Sequence, residues 1–190
     1  VRVEEINKQR KKEAQDHGQR FIPIKIGVGL NSGRCVVGNM GSELRFNYSV
    51  LGDCVNLASR LEGQSKTYDV PIVIGAKTAQ AARQKFALLE LDYITVKGKT
   101  EPETIYTVLG REDVARSAQF QEVHGLVGDM LKLYRVQNFA SAAKAVIQCR
   151  SAALGLGLDR LFDIYSIRIA GFEREAPPTD WNGVFALDTK

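Results

Sequence analysis

The sequence predicts an α+β fold: a mostly antiparallel sheet with packed helices over residues 1–112, followed by a helical appendage over residues 113–190. Three observations carry that expectation. Short runs rich in Ile, Val and Phe, bounded by glycine and other turn residues, fill much of residues 21–51 and 70–109. Between them, from Asp53 onward, the apolar residues switch to a helical period. After Gly110 the composition becomes rich in Ala and Leu, with helical spacing and no strand pattern.

The elements follow in order. Residues 1–18 have helical composition, with Glu4, Glu5, Glu13 and Asp16 interleaved among Lys8, Arg10, Lys11 and Lys12. Opposite charges three or four apart are the pattern of one exposed helix, and Gly18 is its expected stop. Phe21 to Leu30 reads as a strand ending at the turn Asn31-Ser32-Gly33. Arg34 to Gly38 and Phe46 to Leu51 read as two more strands, and all three are expected to be neighbours joined by glycine turns. Asp53 is the expected N-cap of a helix in which Val55, Ala58 and Leu61 share one side and Asn56 and Arg60 another, with Gly63 near its end. Val70 to Ile74 then reads as a buried strand, Ala76 to Gln84 as a short helix, and Phe86 to Val96 with Thr104 to Leu109 as a closing strand pair around Gly98.

The appendage carries three apolar stripes and so predicts three helices: Met130, Leu133 and Tyr134; Phe139, Ala143 and Ile147; and Leu158, Leu161, Phe162, Tyr165 and Ile169. Asp163, inside the last stripe, reads as a surface helix residue. The segment Pro177-Pro178-Thr179-Asp180-Trp181-Asn182-Gly183 is non-helical, and its Trp is expected to pack on the bundle.

Composition narrows the function classes. Net charge is +4, and the basic cluster of the first helix is interleaved with acids and lacks a recognition motif, so no nucleic-acid partner is expected. No apolar run approaches the roughly 18 residues of a membrane span, and no signal-peptide core is visible at the start. Cys35, Cys54 and Cys149 are odd in number and lack a C-x-x-C pair, which argues against disulfides or a structural zinc and for buried, inert thiols in a reducing cytoplasm.

Two glycine-rich stretches invite a phosphate-loop reading. Gly33 to Met40 has P-loop glycine spacing but Asn39 and Met40 where Lys and Ser or Thr are required, so it is not a P-loop. Gly27-Val28-Gly29 lacks the third glycine of a dinucleotide fingerprint and is followed by no helix, leaving tight turns as its reading. Asn56 and Arg60 stand one helical turn apart, so both can reach one ligand, with Arg suited to fork onto phosphate oxygens and Asn to orient a sugar.

The run I-G-V-G-L-N-S-G-R-C-V-V-G-N-M-G-S-E-L-R-F-N-Y-S-V-L-G-D-C-V-N-L-A-S-R-L, from Ile26 to Leu61, followed by Val96-Lys97-Gly98-Lys99, resembles the class III adenylate/guanylate cyclases. The resemblance implies a partial ferredoxin-like cyclase domain that turns a nucleoside triphosphate into its 3′,5′-cyclic monophosphate and pyrophosphate. It implies that Asn56 orders the ribose, that Arg60 neutralises charge at the α-phosphate, that Lys97 binds the terminal phosphates, and that Ser49 helps select the purine. Lys99 is a substitute for Lys97. Ser49 favours ATP, hence adenylate cyclase, with guanylate cyclase open.

The family's two Mg²⁺ or Mn²⁺ ions are held by Asp residues on a strand and hairpin that precede Phe21 in other members and are absent from this chain. The chain is therefore expected to be an inactive fragment of a parent enzyme that builds its sites as a homodimer. A degenerate nucleotide-binding module remains the alternative, and a helical interaction protein is a third reading. Residues 115–190 resemble the tail of a set of bacterial cyclases in which P-P-x-D-W-x-G recurs. Tyr134 to Phe139 with Ala142 and Ala143 is similar to one tetratricopeptide-like hairpin, which implies protein contacts, with packing against the cyclase domain as the other outcome. Proteins with this tail often carry a membrane-attached sensor upstream, which would anchor the parent with this portion in the cytoplasm.

Overall fold

The computed structural model describes residues 2–42, 45–96 and 101–186. Its elements are α1 (Arg2–Asp16), β1 (Val28–Leu30), β2 (Val36–Ser42), β3 (Arg45–Leu51), α2 (Asp53–Tyr68), β4 (Ile72–Gly75), α3 (Ala76–Ala82), β5 (Phe86–Thr95), β6 (Glu103–Arg111), α4 (Glu112–Ala115), α5 (Ala118–Arg135), α6 (Phe139–Ala152), α7 (Asp159–Arg174) and β7 (Phe185–Ala186). Five strands form one sheet in the order β1-β4-β6-β5-β7, and β2 and β3 form a separate two-stranded ladder. The β4/β6, β5/β6 and β2/β3 pairs are antiparallel, and the two outer pairs of the large sheet are parallel. The α+β class read from the sequence is what the chain forms.

The first long apolar run is mostly not a strand. Only Val28 to Leu30 joins a ladder, and its partner is β4, in parallel, rather than the β2–β3 hairpin. Residues 19–27 join no helix or strand, and α1, which buries no side chain, is tied to them by a reciprocal amide pair: Asn7 Nδ2 donates to the Ile24 carbonyl and the Ile24 N–H to Asn7 Oδ1, both at 2.8 Å. The expected hairpin is confined to β2 and β3, paired from Val36↔Leu51 to Ser42↔Arg45.

Gly27 and Gly29 are not turn residues. A Cβ on Gly29 would stand 2.1 Å from the Ala58 carbonyl oxygen and 2.3 Å from the Glu62 nitrogen, and one on Gly27 would stand 2.0 Å from Ser65 Oγ. The glycines let β1 lie directly against the backbone of α2, a close approach that any side chain would prevent. Gly63 is likewise not a helix end. It sits inside α2, which runs on to Tyr68 and ends where Asp69 adopts the left-handed conformation at φ 51°. The N-cap position belongs to Gly52, with Asp53 the first helical residue, where a carboxylate complements the helix dipole.

The apolar side of α2, with Leu57, Leu61 and Tyr68 buried, enters a core that continues through Leu89, Leu91 and Ile94 of β5 into the buried faces of α5, α6 and α7. The three tail helices match the predicted stripes except in α6. There Ile147 is exposed, and Phe139, Ala142, Ala145, Val146 and Cys149 form the buried side. Small residues let α6 lie close to its neighbours, so the true stripe is rotated away from the bulkier Ile147. Trp181 packs edge-on to Tyr134 at a ring separation of 5.2 Å and donates its indole N–H to the Val184 carbonyl. β7 then adds to β5 in parallel, so the end of the tail completes the large sheet.

The cysteines divide. Cys149 is buried, Cys54 is half-buried with its thiol directed at the Arg34 carbonyl, and Cys35 is exposed, so the expectation of three buried thiols holds only for Cys149.

Candidate functional site on helix α2

Helix α2 owes its placement to three contacts that the sequence encodes locally. Under its middle lie the glycines of β1. At its first turn, Asn31 Nδ2 donates to the Cys54 carbonyl at 3.2 Å, and the Cys54 thiol donates to the Arg34 carbonyl. Gly33 and Gly52 permit that turn to sit against residues 33–35: a Cβ on Gly33 would fall 2.5 Å from Cys54 Cβ, and one on Gly52 would fall 3.0 Å from the Arg34 carbonyl oxygen. At its last turn, Tyr68 is wholly buried and Lys25 pairs with Asp69 at 2.9 Å.

Asn56 and Arg60 lie one turn apart on this helix, beside the buried stripe formed by Leu57, Leu61, Gln64, Ser65 and Tyr68. Asn56 is exposed and Arg60 half-exposed. Among the described residues neither side chain has a hydrogen-bonding or ionic partner, so an amide and a guanidinium stand one turn apart and available to a ligand. A guanidinium held this way offers a fork of N–H donors suited to phosphate oxygens.

Ser49 lies on β3, exposed, opposite Gly38 in the hairpin ladder. It precedes the start of α2 by only four residues, and Gly52 makes the junction. Lys97 and Lys99 lie outside the described residues, directly after Val96, which is buried. Asp163, read as a surface residue, is half-exposed on α7 and paired with Arg150 at 2.7 Å.

Among the described residues no group of three His, Cys, Asp or Glu side chains could hold a metal ion. The cleft between α1 and residues 17–22, about 390 Å³ and lined by Arg10, Glu13, His17 and Arg20 among others, contains none of the predicted site residues. No described helix is long and apolar enough to cross a membrane.

One group of polar residues escaped the sequence reading. Asp92, in the middle of β5, is 1 % exposed, because a bulge between Glu90 and Asp92 turns both Leu91 and Asp92 inward. Its carboxylate accepts from Arg168 Nη1 at 2.5 Å, from the Tyr68 hydroxyl at 2.5 Å, from the Tyr165 hydroxyl at 3.0 Å and from the Tyr93 N–H at 2.8 Å. Burial and the adjacent carboxylate push the Tyr68 and Tyr165 hydroxyls well above their ordinary pKa, so both remain donors. The Arg168 guanidinium, although desolvated, is held further in its charged form by Asp92. The available signal was an Asp in the apolar run Phe86 to Val96, since a buried carboxylate requires partners.

Comparison with known proteins agrees on the nature of residues 3–110, which match the model of the adenylate and guanylate cyclase catalytic domain. A terminal-differentiation-specific adenylate cyclase of Dictyostelium discoideum is 41% identical over 98 residues, covering 50% of this chain and 5% of that protein. An adenylate cyclase of Anabaena cylindrica is 37% identical over 95 residues, covering 48% of this chain and 19% of that protein. The crystal structure of the adenylyl cyclase CyaB from P. aeruginosa is similar at 33% identity with a TM-score of 0.45, over 52% of this chain and 48% of that one. The chain thus spans a fifth or less of the length of these two curated relatives.

Proposed function

The chain belongs to the adenylate and guanylate cyclase catalytic domain family, and from that premise we propose that it supplies the transition-state half of an adenylate cyclase site, with Asn56 and Arg60 as its working side chains. The observation that carries the reading is their placement: one turn apart on a helix anchored at both ends, each with its polar group unengaged by the described residues. Cyclisation moves the α-phosphorus from pyrophosphate to the ribose 3′-oxygen within one molecule, so the protein's work is alignment and charge stabilisation. In this reading Asn56 holds the ribose so that its 3′-oxygen lies in line with the leaving group. Arg60 gathers the charge that grows on the α-phosphate oxygens, an interaction stronger in the transition state than in the ground state.

Ser49 is assigned to the purine, favouring ATP, and Lys97 to the terminal phosphates. The Mg²⁺ or Mn²⁺ ions of the family's chemistry are assigned to carboxylates outside this chain, which by itself is then inactive. Residues 1–112 form the catalytic portion of the proposal and residues 113–190 the helical portion packed on it. The working assembly is a homodimer in the cytoplasm. A second reading, carried by the same two unengaged side chains Asn56 and Arg60, is a module that binds nucleotide without turnover.

Calorimetric titration of the purified chain with ATP and GTP tests the common part of both readings. Arg60→Ala should weaken ATP binding roughly 10- to 100-fold, the loss expected of a charge-assisted hydrogen bond to phosphate. Equal affinity for ATP in Arg60→Ala and the parent chain would deny Arg60 a ground-state contact with the phosphates and leave it only the transition-state role that turnover measures.

A further inference from the structure

The helix that carries Asn56 and Arg60 is fastened at its far end to the tail. Tyr68, the last residue of α2, donates to Asp92 Oδ2, and the same oxygen takes Arg168 Nη1 from α7. Tyr165, one turn earlier on α7, donates to the Leu91 carbonyl at 2.9 Å and lies within reach of Asp92 Oδ1 at 3.0 Å. A second tie bypasses Asp92: Arg160 Nε donates to the Thr67 carbonyl at 3.4 Å, placing a cation at the C-terminal end of α2 where the helix dipole favours one. The Arg168 guanidinium also lies near two rings, with its carbon 3.5 Å from the Phe185 ring centroid of β7 and 5.6 Å from that of Tyr165.

Burial makes this junction stiff. The Arg168 and Asp92 side chains are 7% and 1% exposed, so neither can exchange its partner for water. A helix transmits such a constraint along its axis. Arg60 lies eight residues before Tyr68, about 12 Å at a helical rise of ~1.5 Å per residue, so a tilt of about 5° at the Tyr68 end displaces Arg60 by ~1 Å. Misplacement of that size is enough to spoil a phosphoryl-transfer geometry.

We propose that Tyr165 and Arg168 of the tail are positioning residues for Asn56 and Arg60, acting through Asp92 and Tyr68 on the orientation of α2. The proposal rests on the cyclase reading for what is positioned, and on the structure alone for the coupling. On this view the tail is part of the site's framework, and a tail pulled away from β5 leaves α2 without its C-terminal anchor.

The test uses the full 190-residue chain and two readouts: amide hydrogen exchange across α2 relative to β4, and calorimetric ATP affinity. Tyr165→Phe removes one hydroxyl and keeps the ring that packs on Tyr134. Arg168→Met removes the charge, and Arg168→Lys keeps it. Val146→Ala opens a cavity on α6, which carries none of the partners of Asp92, and serves as the control for general destabilisation.

Tyr165→Phe and Arg168→Met are each expected to speed α2 exchange about tenfold over β4 and to weaken ATP binding by a similar factor, while Arg168→Lys recovers most of both. Val146→Ala, even with an equal loss of thermal stability, should leave α2 exchange relative to β4 and ATP affinity as in the parent chain. If Arg168→Met does not fold, Tyr165→Phe decides. The proposal is overturned if Val146→Ala speeds α2 exchange relative to β4 as much as Tyr165→Phe, or if neither α7 variant changes α2 relative to β4. The exchange readout needs no nucleotide: a parent chain that binds no ATP refutes the cyclase reading alone, and α2 exchange still upholds or overturns the coupling.

Discussion

Replacing Gly29 by Ala should be among the most damaging single-methyl additions in the chain, although Gly29 sits in a strand and carries no positive φ. The new Cβ would stand 2.1 Å from the Ala58 carbonyl oxygen, 2.3 Å from the Glu62 nitrogen and 2.9 Å from Glu62 Cα. All three are backbone atoms of α2, so no side chain can rotate away, and either the helix or the strand must move by about 1 Å. Over-packing costs typically ~1–3 kcal/mol, and contact with backbone on both sides argues for the upper end. At ~2–4 °C per kcal/mol for a chain of this size, the expected loss is roughly 6–12 °C in melting temperature. Gly63→Ala is the matched control, since a Cβ there meets nothing within 4 Å and lies inside the same helix. It should stabilise by ~0.4–1 kcal/mol, through helix propensity and a restricted unfolded chain. Urea unfolding followed by far-UV circular dichroism measures both. A Gly29→Ala unfolding free energy within about 0.5 kcal/mol of the parent would refute the backbone contact between β1 and α2, since changes of that size are ordinary for surface sites.

Two further expectations concern ionisation and access. Cys149 is buried and desolvation pushes its thiol up to about 11, whereas Cys35 is exposed, so a thiol reagent at pH 8 should label Cys35 at once and Cys149 only on unfolding. Mass spectrometry of the labelled peptides reads this, and rapid native labelling of Cys149 would contradict its burial. Stability should also fall on the alkaline side. Cys149 is raised from 9.0 to about 11 and Tyr134, by desolvation, from 10.0 to about 12, so above pH 9 the unfolded chain releases these protons first while the folded chain keeps them. The urea midpoint should hold below pH 9 and decline as pH rises through 11, with a shallower early decline in Cys149→Ala; a midpoint flat to pH 11 would remove this linkage.

What could be read from the sequence divides along a physical line. Helix α2 was legible because its residues follow a helical period and Asn56 with Arg60 fall one turn apart whatever surrounds them, but of the expected apolar side Val55, Ala58 and Leu61 only Leu61 is buried, and the core face turns to Leu57, Leu61 and Tyr68. The tail helices were legible for the same reason, with Ile147 misplaced because Ala142, Ala145 and Cys149 pack as well as larger residues where helices approach closely. The partner of β1 was not legible. Parallel pairing of Val28 with Ile72 joins residues far apart in the chain, and no local pattern announces it. Gly27 and Gly29 read as turns because a glycine required by a neighbouring helix looks in sequence like a glycine required by φ. The Asp92 junction was hidden by a bulge, which shifts one residue from the outer face to the core and breaks the alternation that assigns faces in a strand. Ser49 falls on β3 as the strand reading required, and Lys97 lies outside the described residues.

The proposed role of Asn56 and Arg60 is to stabilise the transition state of cyclisation. The direct measurement joins the chain to the metal-binding strand and hairpin that the family carries ahead of it, and follows cyclic AMP and cyclic GMP formation from ATP and GTP with Mn²⁺. Cyclic AMP is expected from the joined protein, none from the chain alone, and Arg60→Ala should lower kcat by about 10²–10³-fold, the loss typical of a removed transition-state donor. A joined protein whose Asn56→Ala and Arg60→Ala forms turn over as fast as the parent would contradict it.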